Sequence, residues 1–185
     1  MQFIMELWIP ILVGGLAVFV MSALVWTVLP HHRKEWRKLP NEEQVADAIR
    51  AGNVTPGLYH LPHMNDMKEM GSPEGIAKMN RGPLVYMTVA PTGMPTMGPM
   101  MAKSAIASII IATFVAYVAW HSLPAGSEYL QVFRIVSAVG FMTYCLGSIP
   151  ESIWFARPWS SFFLQAFDAL LYGLVLGGVF GWLWI

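Results

Sequence analysis

The residue most able to do chemistry stands in the closing stretch SFFLQAFDALLYGLVLGGVFGWLWI, residues 161–185, where Asp168 is the single charge in an apolar run. Seven residues beyond Ser161, it lies about 10 Å along a helix of 1.5 Å rise. If that run spans a bilayer, the carboxylate sits inside hydrocarbon, where an isolated charge costs about 2.5–3.5 kcal/mol on insertion scales and has to find a partner. Arg134 is the first candidate, five residues after Tyr129 in the preceding apolar segment and offset in depth by roughly 10 Å. Gln165, Tyr172, Tyr117, Tyr144 or a bound proton are the others. A pair that fixes helix packing is the leading expectation, and a proton or substrate site is the alternative.

Two further groups carry possible chemistry. Gly173, Gly177 and Gly181 recur every fourth residue on the same helix, a small-residue ridge that lets another backbone approach closely and so points to helix association, within the chain or with another copy. The stretch YHLPHMNDMKEM places His60, His63, Met64, Met67 and Met70 together, with Met94, Met97, Met100 and Met101 later. Imidazole and thioether donors suit Cu(I), so His60, His63, Met64 and Met67 are speculative metal ligands, against the plainer reading of an interfacial loop with Met as filler. His31 and His32, in LPHHRKEWRKLP, are possible haem or metal ligands, but their neighbours Arg33, Lys34, Arg37 and Lys38 favour a collar on anionic lipid headgroups. His121 stands alone.

The elements that must hold these residues follow from composition. Of 185 residues, 56% are hydrophobic and 12% charged, and the mean hydropathy is +0.52, which points to a membrane protein. Eleven basic and eleven acidic residues leave no net charge that would favour nucleic acid. The single cysteine, Cys145, excludes a disulfide within the chain and a multi-cysteine metal cluster. Four segments are long and apolar enough to cross a bilayer, about Phe3–Leu29, Ser104–His121, Tyr129–Ile149 and Ser161–Ile185. Trp8, Trp26, Trp120, Trp159, Trp182 and Trp184 fall near their ends, where the headgroup layer favours them. The first segment carries Glu6, has no basic leader and ends at a basic cluster, so it reads as a retained anchor and not a secretory signal.

The expected fold is therefore all-α and integral to the membrane, with helix 1 in residues 1–29, an insert over 30–103, and helices 2–4 in 104–185. Cations concentrate in the insert, whereas the Ser122–Glu128 turn and both termini have none. The insert is accordingly expected on the cytoplasmic side and both termini on the periplasmic side. Nine of the 13 prolines fall between Pro30 and Ala102, so the insert is turn-rich. Within it LPNEEQVADAIRAG reads as a short helix capped by Asn41 with Gln44 at the capping-box position, and GPLVYMTVAP as one strand. TGMPTMGPMM reads as an irregular lead back to the bilayer.

No phosphate loop, GxSxG, HExxH or paired-cysteine motif is present, which argues against a recognisable enzyme. The stretches LPHHRKEWRKLPNEEQVADAIR, SIWFARPWS, DALLYG and FGWLW resemble a family of short bacterial inner-membrane proteins. That resemblance covers nearly the whole chain and implies the bacterial cytoplasmic membrane and a four-helix layout. It implies no activity, substrate or cofactor. The expected role is a non-catalytic structural or accessory subunit, partnered by the bilayer and by copies of itself or other membrane subunits. A small oligomeric transporter using Asp168 and Arg134 is the first alternative, and a copper- or haem-handling protein the second.

Overall fold

The computed structural model describes residues 2–185 and divides into two compact units, one formed by the chain up to Arg37 together with Thr96–Ile185, the other by Lys38–Pro95. In the first unit lie α1 (Gln2–Val28), α5 (Met97–Ser122), α6 (Tyr129–Cys145), the short α7 (Ile149–Trp154) and α8 (Trp159–Trp182). Four helical segments are long and apolar enough to cross a membrane, with α6 and α7 together making one of them. α1 and α5 are apolar around their whole circumference, the pattern of a helix long and apolar enough to cross a membrane.

Prolines shape these helices. Pro10 lies inside α1, and Leu7 absorbs the disturbance at φ −104° and ψ 17°, because proline removes a helical donor and clashes with the preceding turn. Pro150 acts likewise at the far end of α6. There the helix gives way to a 3₁₀ turn over Leu146–Ser148 before α7 begins, so the third span is shorter as a regular helix than the expected Tyr129–Ile149. α5 starts at Met97, seven residues before the expected Ser104. The TGMPTMGPMM stretch looks irregular in sequence, yet Pro99 falls in the first turn, where a missing N–H costs nothing.

The tightest pairing is between α6 and α8, and the glycine ridge makes it. A Cβ on Gly173 would lie 2.7 Å from the Ser137 carbonyl oxygen, one on Gly177 would lie 2.9 Å from that of Phe133, and one on Gly181 would lie 2.8 Å from the Tyr129 ring. The ridge is thus occupied by this chain's own α6 and is not a surface free for another copy. α1 closes against α5 at Gly15, whose Cβ would stand 2.7 Å from the Ile109 Cα. The core between the helices is apolar, with Leu7, Val18, Val115, Leu176 and Phe180 all buried. Burying such a side chain contributes about 1.5–3 kcal/mol relative to water.

The second unit holds α2 (Glu42–Ala51), β1 (Gly57–Leu61), α3 (Met67–Met70), α4 (Pro73–Arg81) and β2 (Val85–Val89). The sequence suggested one helix and one strand. β2 does form within GPLVYMTVAP, and its unanticipated partner is β1, antiparallel in the register Gly57↔Val89 to Leu61↔Val85. A lone strand would leave its ladder groups unpaired, and GLYHL supplies the partner although His60 and the neighbouring Pro62 obscure it as a strand. α3 and α4 begin at Asp66 and Ser72, whose side chains accept from the Glu69 and Gly75 amides. Asn41 stands at the start of α2 but makes no side-chain cap.

Candidate metal centre

The centre begins where α1 ends. Pro30 cannot continue a helical hydrogen-bond ladder and disfavours helix at the residue before it. The chain therefore leaves α1 and makes one 3₁₀ turn over His31–Lys34, closed by Arg33 N–H to Pro30 (3.1 Å) and Glu35 N–H to His32 (3.1 Å). Side chains three apart eclipse in such a turn. As a result the His32 Nδ1–H donates to Glu35 Oε2 at 2.7 Å.

This turn delivers both imidazoles to Asp168. His31 Nε2 stands 2.8 Å from Oδ1 and His32 Nε2 stands 2.7 Å from Oδ2, so two neighbouring histidines share one carboxylate. Asp168 is 3% exposed, nine residues into α8, and a charge so placed is tolerable only when paired and hydrogen-bonded. Trp26, from the last turn of α1, lies parallel over the His32 ring at 4.0 Å and 3°, and Phe167 presents its edge to His31. The rings are thereby fixed in orientation as well as position.

A further layer surrounds them. Arg157, in the loop before α8, bonds Glu151 at 2.6 Å and reaches Glu35 at 3.7 Å. Burial alone would push the Glu35 carboxyl up, but hydrogen bonds from His32 and Ser161 and the charges of His32 and Arg157 outweigh it, and the group lies below the ordinary carboxylate value. For His32, burial disfavours the cation, yet hydrogen bonds and charge from Asp168 and Glu35 prevail and hold it above the ordinary imidazole value. With both ring nitrogens facing carboxylates, His32 donates twice as an imidazolium. Three carboxylates, Asp168, Glu35 and Glu151, thus surround the two histidines and Arg157.

The ligand atoms of His31, His32 and Asp168 all lie within 4.8 Å of one another. They are the only such group of three His, Cys, Asp or Glu among the described residues. Two imidazole nitrogens and one carboxylate form the donor set of catalytic zinc and non-haem iron(II) sites, which keep positions open for water or substrate. Bonds of about 2.0–2.2 Å to a tetrahedral ion require donors roughly 3.3 Å apart, a spacing that lies between the 2.7–2.8 Å contacts to the two Asp168 oxygens and the 4.8 Å that bounds the whole group. Glu35 on the far nitrogen of His32 is the outer carboxylate that such ligands usually have.

The other sequence candidates are placed differently. Arg134 lies on the exposed side of α6, and both Asp168 oxygens are taken by histidines, so the anticipated Asp168–Arg134 pair is not formed. Their opposite points of departure explain it: Arg134 belongs to the end of the bundle where α6 starts, whereas Asp168 belongs to the end where α1 finishes. His31 and His32 are not an outward-facing collar, although Arg33 and Lys34 beside them are exposed. His60 stacks on Tyr86 at 4.7 Å, His63 and Met67 are exposed, and Met64 is buried; no group of metal-binding type forms there. Glu35 was not singled out in the sequence, and Trp26 only as a ring at a span end. The usable signal was the i, i+3 spacing of His32 and Glu35 beside a span-ending Trp.

The fold and centre define a class: a helical bundle with four membrane-length segments and a buried His–His–Asp centre at one end. No protein-family model, curated protein or solved structure matches the chain.

Proposed function

We propose that this chain is a multi-pass membrane protein that binds a first-row divalent metal ion, of the zinc or iron(II) kind, through His31 Nε2, His32 Nε2 and the Asp168 carboxylate. The observation that carries the reading is the convergence of two imidazole nitrogens on one buried carboxylate, with the second nitrogen of His32 held by Glu35. The ion takes the place of the two Nε2 protons, beside the carboxylates of Asp168 and Glu35. Asp168, too costly to keep in an apolar helix for packing alone, is then a ligand. The cation-rich insert, with Arg33, Lys34, Arg37 and Lys38 following α1, supports a cytoplasmic placement of this end. The family resemblance supports a bacterial inner membrane.

The alternatives draw less support. A subunit that associates through Gly173, Gly177 and Gly181 needs a free ridge, and α6 covers it. A transporter lined by Asp168 and Arg134 needs the two to meet, and further along α8 the interior is filled by Leu176 and Phe180. Copper held by the His60–Met67 stretch needs converging donors. Equilibrium dialysis of the purified full chain against Zn(II) tests the proposal. One tightly held ion per chain is expected, with binding lost in Asp168→Ala; a chain that takes up none, or that keeps it in Asp168→Ala, would overturn it.

A further inference from the structure

Beside the centre, the bundle encloses a cavity of about 330 Å³, bordered by His32 and Asp168 at one end. Val18, Ala107, Ile111 and Trp26 give it apolar surface, beside Ser22, Ser104, Ser108 and Ser161. Its size falls at the lower end of small-molecule sites, about 300–1,000 Å³, and is about ten times the share of a single water in the liquid.

One polar atom in its lining, Gln165 Oε1, is withdrawn from solvent and makes no hydrogen bond; Tyr144 Oη and Tyr172 Oη are equally withdrawn and are met only loosely, by Ser108 and by Ser22 and Trp26. Buried polar atoms are nearly always paired, so an orphaned amide oxygen beside two loosely held phenols marks what the occupant must supply. The Gln165 oxygen only accepts, which calls for an O–H or N–H donor; the phenol hydroxyls give and take. An anion finds no free cation, because Arg157 on the rim is already shared between Glu151 and Glu35.

We propose that this cavity is the ligand chamber of the metal centre and takes a small neutral molecule with a hydroxyl head and an apolar body, an alcohol or a phenol. The proposal rests on the metal reading in one respect: the hydroxyl oxygen occupies a coordination position that the three protein ligands leave open. His32 and Asp168 belong both to the centre and to the chamber wall, so that position faces the cavity. Tyr144, Tyr172 and Gln165 hold the head, and Val18, Ala107 and Ile111 meet the apolar body.

The test uses the full chain in detergent, loaded with Zn(II) or Co(II), and fluorine NMR with 4-fluorophenol and with fluorobenzene, which lacks the hydroxyl and reports partition into the micelle. Saturable binding of 4-fluorophenol at least about tenfold tighter than fluorobenzene is expected, since sites built around a hydroxyl discriminate strongly against its loss. The Co(II) form should broaden the bound 4-fluorophenol signal far more than the Zn(II) form. In Gln165→Leu and Tyr172→Phe the preference over fluorobenzene should disappear. If Co(II) binds and 4-fluorophenol behaves like fluorobenzene, the cavity holds water only and the chamber is overturned while the metal reading stands. If no Co(II) binds but selective, variant-sensitive 4-fluorophenol binding remains, the metal reading fails and the chamber stands without its coordination step.

Discussion

The molecule carries two pairs of neighbouring histidines, and only one makes a centre. His31 and His32 sit on a 3₁₀ turn held directly to the end of α1, and a carboxylate from α8 reaches both. His60 and His63 lie in and just after β1, where His60 faces Tyr86 across the strand pair and His63 points to solvent. The difference lies in what the nearby carboxylates are doing. Asp66 caps α3, and Glu69 accepts from Asn65 and pairs with Lys78, so the acids of that region are spent on turns. Asp168 has no local backbone to cap in mid-helix, and burial leaves it dependent on whatever side chains are brought to it. A donor-rich sequence is therefore not a site unless rigid elements aim the donors inward.

The largest break in this comparison is removal of the shared carboxylate. Asp168→Ala leaves the His32 Nε2–H and His31 without their carboxylate while Glu35 still holds His32 Nδ1, so the cost falls at or below the ~3–5 kcal/mol typical of a broken buried pair. A marked fall in melting temperature of the metal-free protein in detergent is expected, together with loss of Zn(II) binding. His60→Ala with His63→Ala should leave Zn(II) affinity unchanged within experimental scatter; a large loss there would reverse the assignment of the two pairs.

Glu35→Gln sharpens the comparison at the outer layer. It removes the charge behind His32 but keeps its shape, and outer partners of metal-binding histidines are typically worth about 10–100-fold in affinity. Dialysis should register a drop of that order, with one ion per chain still bound at saturating metal.

Gly177→Val asks whether the positioning of Asp168 depends on α6–α8 contact. The added methyl groups meet Phe133 and Ser137, and overpacking of this kind costs about 1–3 kcal/mol. A lower melting temperature is expected with no change in native mass; dissociation of a larger assembly into smaller species would instead mean that the ridge faces another copy. Smallest of all should be Arg134→Ala, within about 0.5 kcal/mol for an exposed position away from the centre, and without effect on Zn(II) binding. A lost site in that variant would restore the Asp168–Arg134 pairing.

The four long helices were legible because each is an uninterrupted apolar stretch of membrane-spanning length, and only their ends shifted, most of all near Pro99 and Pro150. The importance of Asp168 was legible for the same reason, since a carboxylate in an apolar run is conspicuous. Its partners were not. They are separated from it by 136 and 137 residues, and their approach depends on a single turn after Pro30 that curls the side chains back toward α8. The four cations beside His31 and His32 suggested a headgroup collar; Arg33 and Lys34 are exposed, but the histidines between them and the helix turn inward to Asp168. Depth was the clue available: His31 and His32 leave the bundle at the end where α8 begins, whereas Arg134 does not. In the insert, α3, α4 and β1 escaped notice because Pro and His interrupt the periodic patterns that mark helices and strands.

The most direct test of the metal centre is the visible absorption spectrum of the purified full chain titrated with Co(II). The account expects saturation at one ion per chain with the intense d–d bands of a low-coordinate site, absent in His32→Ala and Asp168→Ala and retained in the His60→Ala, His63→Ala double variant. Weak six-coordinate bands in the wild-type chain, or intense bands that persist without Asp168, would contradict it.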